Sequence, residues 1–144
     1  MSGAWKSAVA LAALVAALGL AGCGAGGAKP AGGGDATQST NPGAMTPDEL
    51  HAFLAEHPEA HVLDVRQPEE WNDRYGHIEG STQIPLPELP ARIGEIEAWK
   101  GDPVIAVCTV GARSGQAASI LADNGFAHAY NLTGGLVAWR SKGY

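Results

Sequence analysis

Residues 104–121, Val-Ile-Ala-Val-Cys108-Thr-Val-Gly-Ala-Arg113-Ser-Gly-Gln-Ala-Ala-Ser-Ile-Leu, constrain this chain more than any other stretch. Val104 to Val107 is a short apolar run rich in β-branched residues. It reads as a strand buried on both faces of a parallel sheet. From Gly115 the period turns helical. Ala117, Ile120 and Leu121 share a face, and Gly125 stands where a glycine ends a helix. Between strand and helix lies a tight loop, with Cys108 at its strand end and Arg113 at its helix end. The carboxyl edge of such a sheet is where open α/β proteins bind their ligands.

That placement sets the thiol over a bowl of backbone N–H groups at a helix N-terminus, which favours negative charge. A thiol held there ionises more readily, and the thiolate is the nucleophile. Gly111 lets the chain turn without a Cβ clash, and Arg113 offers a forked donor set to an anion. A cysteine closing a buried strand is in most proteins an inert core residue. A core thiol, however, has use for neither the glycine nor the arginine.

Four segments in order carry a wider similarity. Cys108-x-x-Gly111-x-Arg113-Ser114 resembles the active-site loop of the rhodanese (sulfurtransferase) family. Val62-Leu-Asp64-Val-Arg66-x-Pro68-Glu-Glu70-Trp71 resembles its Asp-Val-Arg segment, and Tyr75-Gly76-His77-Ile78-x-Gly80-Ser81-x-x-Ile84-Pro85 its Gly-His-Ile…Ile-Pro stretch. Gly134-Gly135-Leu-Val-Ala138-Trp139 resembles the closing element. Together they run from about Met45 to Tyr144. The resemblance implies that Cys108 attacks the outer sulfur of thiosulfate or a similar anionic donor, becomes a persulfide, and passes the sulfur to cyanide or a thiol. Thr109, Val110, Gly111, Ala112, Arg113 and Ser114 are then the substrate-binding cradle, with Asp64 and Arg66 as supporting residues. No cofactor and no metal ligand set is expected. Arg66 and Glu70 lie four apart at the start of a helical segment, which reads by itself as a surface ion pair worth under about 1 kcal/mol.

Two other functions fit a reactive Cys108. Cysteine phosphatases and arsenate reductases related to this family place five residues between Cys and Arg, whereas here there are four, Thr109 to Ala112. The shorter loop makes a smaller bowl, suited to sulfur more than to a tetrahedral oxyanion. A persulfide carrier or partner-binding module without turnover would need the same thiol.

The first third of the chain is a different kind of sequence. Residues 1–22 read as a signal peptide, with Lys6 followed by the 13 uncharged residues Ala8 to Leu20, short for a bilayer span. Leu20-Ala21-Gly22-Cys23 resembles a bacterial lipobox, which implies lipidation at Cys23 and attachment to a membrane, facing the periplasm from the outer membrane. Residues 23–44, rich in Gly, Ala, Pro, Ser and Thr, read as a lipid-anchored flexible linker.

Residues 45–144 read as the folded domain. Thr46-Pro47-Asp48-Glu49 is a helix start, with Leu50, Phe53 and Leu54 as the apolar face and His57-Pro58 as the stop. Strands are expected at Val62 to Val65, Ser81 to Ile84 and Ala127 to Leu132. Pro68 to Asn72 opens a short helical segment. Leu89, Ile93, Ile96 and Trp99 space out one amphipathic helix, and Gly134-Gly135 leads into a last one. The fold class is α/β, a parallel central sheet with helices on both faces. From Met45 onward 7 Lys/Arg face 14 Asp/Glu, a net charge of −7 that argues against nucleic acid. With Cys23 lipidated, Cys108 has no disulfide partner, and a monomer is expected. His51, His57 and His61 read as solvated, and His77 as a structural hydrogen-bonding residue.

Overall fold

The computed structural model describes residues 42–144. The signal peptide, Cys23 and the linker up to residue 41 lie outside the described residues. The elements run β1 (Gly43–Met45), α1 (Pro47–Glu56), β2 (His61–Asp64), a 3-10 turn (Pro68–Glu70), β3 (Thr82–Gln83), α2 (Leu89–Arg92), a 3-10 segment (Ile93–Trp99), β4 (Pro103–Val107), α3 (Ala112–Asp123), β5 (His128–Leu132) and α4 (Gly135–Ser141). The strands form one sheet in the order β1-β5-β4-β2-β3, every pair parallel.

The two-residue alternation of β2 and β4 sorts the core into two layers. Leu63, Val65, Val104 and Ala106 pack with Leu89, Ile96, Ala117 and Leu121 on the α2 and α3 face. Val62, Ile105 and Val107 pack with Leu50, Leu136 and Trp139 on the α1 and α4 face. Both faces of β4 are thereby covered, which accounts for its unbroken apolar run. Cys108, in step with Val104 and Ala106, falls on the α3 face. Helix α1 starts as its sequence dictates. The Thr46 side chain and the Glu49 carboxylate cap one another's backbone N–H groups, with Glu49 Oε2 2.7 Å from Thr46 N.

Two elements differ from the sequence reading. Gly43 and Ala44, assigned there to the linker, form an edge strand with Met45 against Tyr130, Asn131 and Leu132. Three residues carry no alternation to recognise. Their pairing is decided by tertiary contact, and a Cβ on Gly43 would run into the Tyr130 ring. Residues 89–99 are also not one α-helix. One α-turn gives way to a 3-10 segment with non-helical angles at Ile96 (φ −113°, ψ 15°). Ile93, Ile96 and Trp99 are spaced by three, the 3-10 repeat, and Gly94 weakens the α form there.

The histidines are not simply solvated. His51 stacks on Tyr144 with ring centroids 4.0 Å apart, and His57 stacks on Phe53 at 4.0 Å. His61 stacks on Trp99 at 4.3 Å and places Nε2 3.1 Å from Asp102. His77 stacks on Trp71 at 4.1 Å, its Nδ1 3.4 Å from the Trp71 carbonyl.

Candidate active site

The loop from Cys108 to Ala112 joins β4 to α3 at the carboxyl edge of the sheet. Its tightness depends on glycines at two places. Gly111 adopts φ 100°, and a Cβ there would stand 3.1 Å from Gly134 N and 3.3 Å from the Leu132 carbonyl oxygen. At the start of α4, Gly135 adopts φ 58°, and a Cβ would overlap the Cys108 and Thr109 carbonyls. That close approach lets Leu136 N donate to Cys108 O (2.9 Å) and Val137 N to Thr109 O (3.1 Å). The Gly134-Gly135 element of the sequence therefore clamps the back of the cysteine loop.

With its carbonyls tied behind, the loop turns its N–H groups toward the sulfur. Gly111 N donates to Cys108 Sγ at 3.1 Å, and Ser114 Oγ lies 3.4 Å from it. Cys108 is 1% exposed. Burial pushes its thiol pKa up, but the Ser114 hydroxyl and the backbone N–H groups of Ser114, Gly111 and Val110 outweigh burial and hold it below the ordinary thiol value. An inert core cysteine has no such donor set. The Val110 N–H faces the sulfur while its side chain is 62% exposed at the tip of the loop.

Arg113 is not an open fork. Its Nη1 and Nη2 donate to the two Glu70 oxygens at 2.6 and 2.7 Å, and Nη2 also reaches Thr109 Oγ1 at 3.1 Å. The Glu70 carboxylate further accepts from Gln67 N (3.0 Å) and Thr109 Oγ1 (3.2 Å). The Arg113 guanidinium, together with these donors, lowers the Glu70 pKa to about 2, against a cost from burial. Both side chains remain about a third exposed, 34% and 30%.

Arg66 is not half of a surface pair with the Glu70 carboxylate. It is fully buried and paired with Asp64, Nη2 to Oδ2 at 2.7 Å and Nε to both oxygens at 3.0 Å. Its remaining N–H groups reach the Glu70 carbonyl (2.9 Å), Asp73 (3.3 Å) and the Gly76 carbonyl (2.7 Å). Satisfying the whole fork makes so deep a burial tolerable. It also pins the backbone of the 3-10 turn that presents Glu70 to Arg113. Asp64 and Arg66 thus hold the turn that carries Glu70, and they reach the cysteine loop only through that residue.

Two members of the site were not picked out from sequence. Local spacing points Glu70 to Arg66, whereas its partner Arg113 is 43 positions distant. Asn131 lies 2.6 Å from Ser114 Oγ. It follows Ala129 by two in β5, so alternation places a polar residue on the face that carries Cys108, and that was a legible signal. Among the described residues no group of three or more His, Cys, Asp or Glu is placed to hold a metal ion. A hollow of about 410 Å³ lined by Phe53, His57, Asp102 and Tyr130 opens at the other edge, where β4 and β5 begin. The Cys108 thiol is distinguished by its donors, not by that cavity.

A parallel sheet of this order, with helices on both faces and a cysteine cradled at its carboxyl edge, defines an α/β domain with a candidate thiolate site. The family model described as a rhodanese-like domain matches residues 46–142, and the chain belongs to that family. It is 42% identical over 90 residues to the uncharacterized protein YqhL of Bacillus subtilis, covering 62% of this chain and 68% of that one. It is 40% identical over 85 residues to the thiosulfate sulfurtransferase PspE of Escherichia coli, covering 59% and 76%. It spans only 27% of the probable adenylyltransferase/sulfurtransferase MoeZ of Mycobacterium tuberculosis, at 32% identity. Among solved structures, the rhodanese-like domain protein of Staphylococcus aureus is similar with a TM-score of 0.60 and 32% identity, covering 67% of this chain and 90% of that one.

Proposed function

We propose that this protein is a sulfurtransferase working through a Cys108 persulfide. The observation that carries the proposal is the sulfur's donor set, Gly111 N at 3.1 Å and Ser114 Oγ at 3.4 Å, which favours a thiolate. The thiolate attacks the outer sulfur of a sulfane donor. With thiosulfate, a Cys108 S–S bond forms, the donor's S–S bond breaks, and sulfite leaves with the bonding pair. Cyanide or a thiolate then attacks the outer sulfur of the persulfide and returns Cys108 as thiolate. The same N–H groups that hold the thiolate suit the persulfide anion and limit its loss to water. Similarity to proteins named thiosulfate sulfurtransferases supports this choice of chemistry.

The test is thiocyanate formation from thiosulfate and cyanide, followed over many turnovers with the wild-type protein and Cys108→Ser. Repeated turnover abolished by the serine, with the fold intact, supports the enzyme. One sulfur transferred per chain and no more would make the protein a persulfide carrier. The proposal extends to the N-terminus: Leu20-Ala21-Gly22-Cys23 is a lipidation site that holds the domain to the periplasmic side of a membrane. Cys23→Ala should move the protein from the membrane to the soluble fraction of a two-membrane bacterium without loss of activity. Unchanged membrane attachment and acyl labelling would refute the site.

A further inference from the structure

Resting on the sulfur-transfer reading, the charges around the loop bear on which donor it takes. The sequence suggests that Arg113 awaits an anion. In the structure both of its terminal nitrogens are engaged by Glu70, at 2.6 and 2.7 Å. Glu70 is itself held by Thr109 Oγ1 and Gln67 N, so the carboxylate is anchored from three sides. Behind it, Arg66 fixes the Glu70 carbonyl at 2.9 Å, which keeps the backbone from swinging away. The other arginine, Arg66, is buried and neutralised by Asp64. Arg113 and Glu70 cancel, Arg66 and Asp64 cancel, and the sulfur is left with the uncharged donors of the loop N–H groups and the Ser114 hydroxyl. A dianion entering this loop meets the thiolate with no free cation among these groups.

We propose that Glu70 is a specificity-determining residue: by occupying the Arg113 fork it makes the site favour singly charged sulfane donors over the dianion thiosulfate. The class it fits is an organic thiosulfonate or a persulfide, R–SO2–S⁻ or R–S–S⁻. With a thiosulfonate the thiolate attacks the outer sulfur, the donor's S–S bond breaks, and a sulfinate leaves with the bonding pair. Two anions react and two anions result, so the step balances without any further reagent. Compared with thiosulfate, one negative charge fewer enters the loop, while the bond broken is of the same kind. Val110, 62% exposed on the rim, offers apolar contact to the R group of such a donor but none to thiosulfate.

The test compares thiosulfate with methanethiosulfonate on the full chain, reading kcat/KM for each with a common acceptor. Wild type should favour methanethiosulfonate, and Glu70→Gln should reduce that preference about tenfold by freeing Arg113, the scale of one charge at a part-exposed site. Glu70→Asp, which keeps the charge, should stay close to wild type. An unchanged donor ratio in Glu70→Gln, or equal shifts in both variants, would make Glu70 merely structural. Should Glu70→Gln not fold, the wild-type ratio still decides, since a preference for thiosulfate overturns the proposal. If neither donor loads Cys108 of the wild type, the sulfur-transfer reading itself falls and takes this one with it.

Discussion

Asn131 Oδ1 stands 2.6 Å from Ser114 Oγ, the hydroxyl that also faces Cys108 Sγ at 3.4 Å and the Gly111 carbonyl at 3.1 Å. A hydroxyl has one proton, so these acceptors compete for it. An asparagine can turn its amide to donate to Ser114 Oγ and leave the proton for sulfur, whereas a carboxylate can only accept. Asn131→Asp should therefore raise the Cys108 pKa, and Ser114→Ala should raise it by removing the donor. The pH profile of iodoacetamide alkylation measures both. Wild type should react at lower pH than free cysteine, with both variants shifted upward. A profile unmoved in Asn131→Asp would show that the Asn131 contact does not reach the sulfur.

The Arg66–Asp64 pair predicts a stability effect with a distinctive double-mutant signature. Arg66→Ala leaves Asp64 buried without a partner and should cost about 3–5 kcal/mol. Asp64→Asn with Arg66→Met removes both charges and should cost less than the single change. Urea unfolding of the wild type and these two variants checks this. A cost under about 1 kcal/mol for Arg66→Ala would contradict this account of the buried pair.

Glu70 predicts an acid-dependent term of definite sign. Its carboxyl titrates at about 2 in the fold against an ordinary value of 4.5, so between these the unfolded chain holds the proton more firmly. The pair's stabilisation is complete above about pH 4.5 and disappears as pH falls through about 2. The full shift corresponds to about 3 kcal/mol, reduced to about 1 kcal/mol because both partners are about a third exposed. Urea midpoints between pH 6 and pH 2.5 should fall less in Glu70→Gln than in wild type. Equal slopes would contradict the pairing.

The parts of the fold legible in sequence are those with a local cause. The buried run of β4, the Thr46-Pro47 helix start, the glycine ending α3 and the cysteine loop each follow from residues a few positions apart. Elements fixed by distant partners were not legible. Gly43–Met45 becomes a strand because β5 is there to pair with, and Ile96 breaks the α-helix because spacing by three serves 3-10 packing equally well. The site divides in the same way. Cys108, Gly111 and Arg113 announce themselves through their order in one loop. The electrostatics that govern them depend on Glu70, Arg66 and Asn131, brought in from β5 and from the chain that follows β2. Local spacing paired Arg66 with the Glu70 carboxylate, whereas the fold gives that carboxylate to Arg113 and buries Arg66 against Asp64.

Storage of a sulfur atom on Cys108 is tested most directly by intact-mass spectrometry of the protein after exposure to a sulfane donor. Wild type treated with methanethiosulfonate or thiosulfate should gain the mass of one sulfur atom, located by fragmentation to Cys108, and lose it on adding cyanide. Cys108→Ser, equally folded, should gain nothing at that position. A wild-type chain that keeps its original mass with both donors would contradict the account.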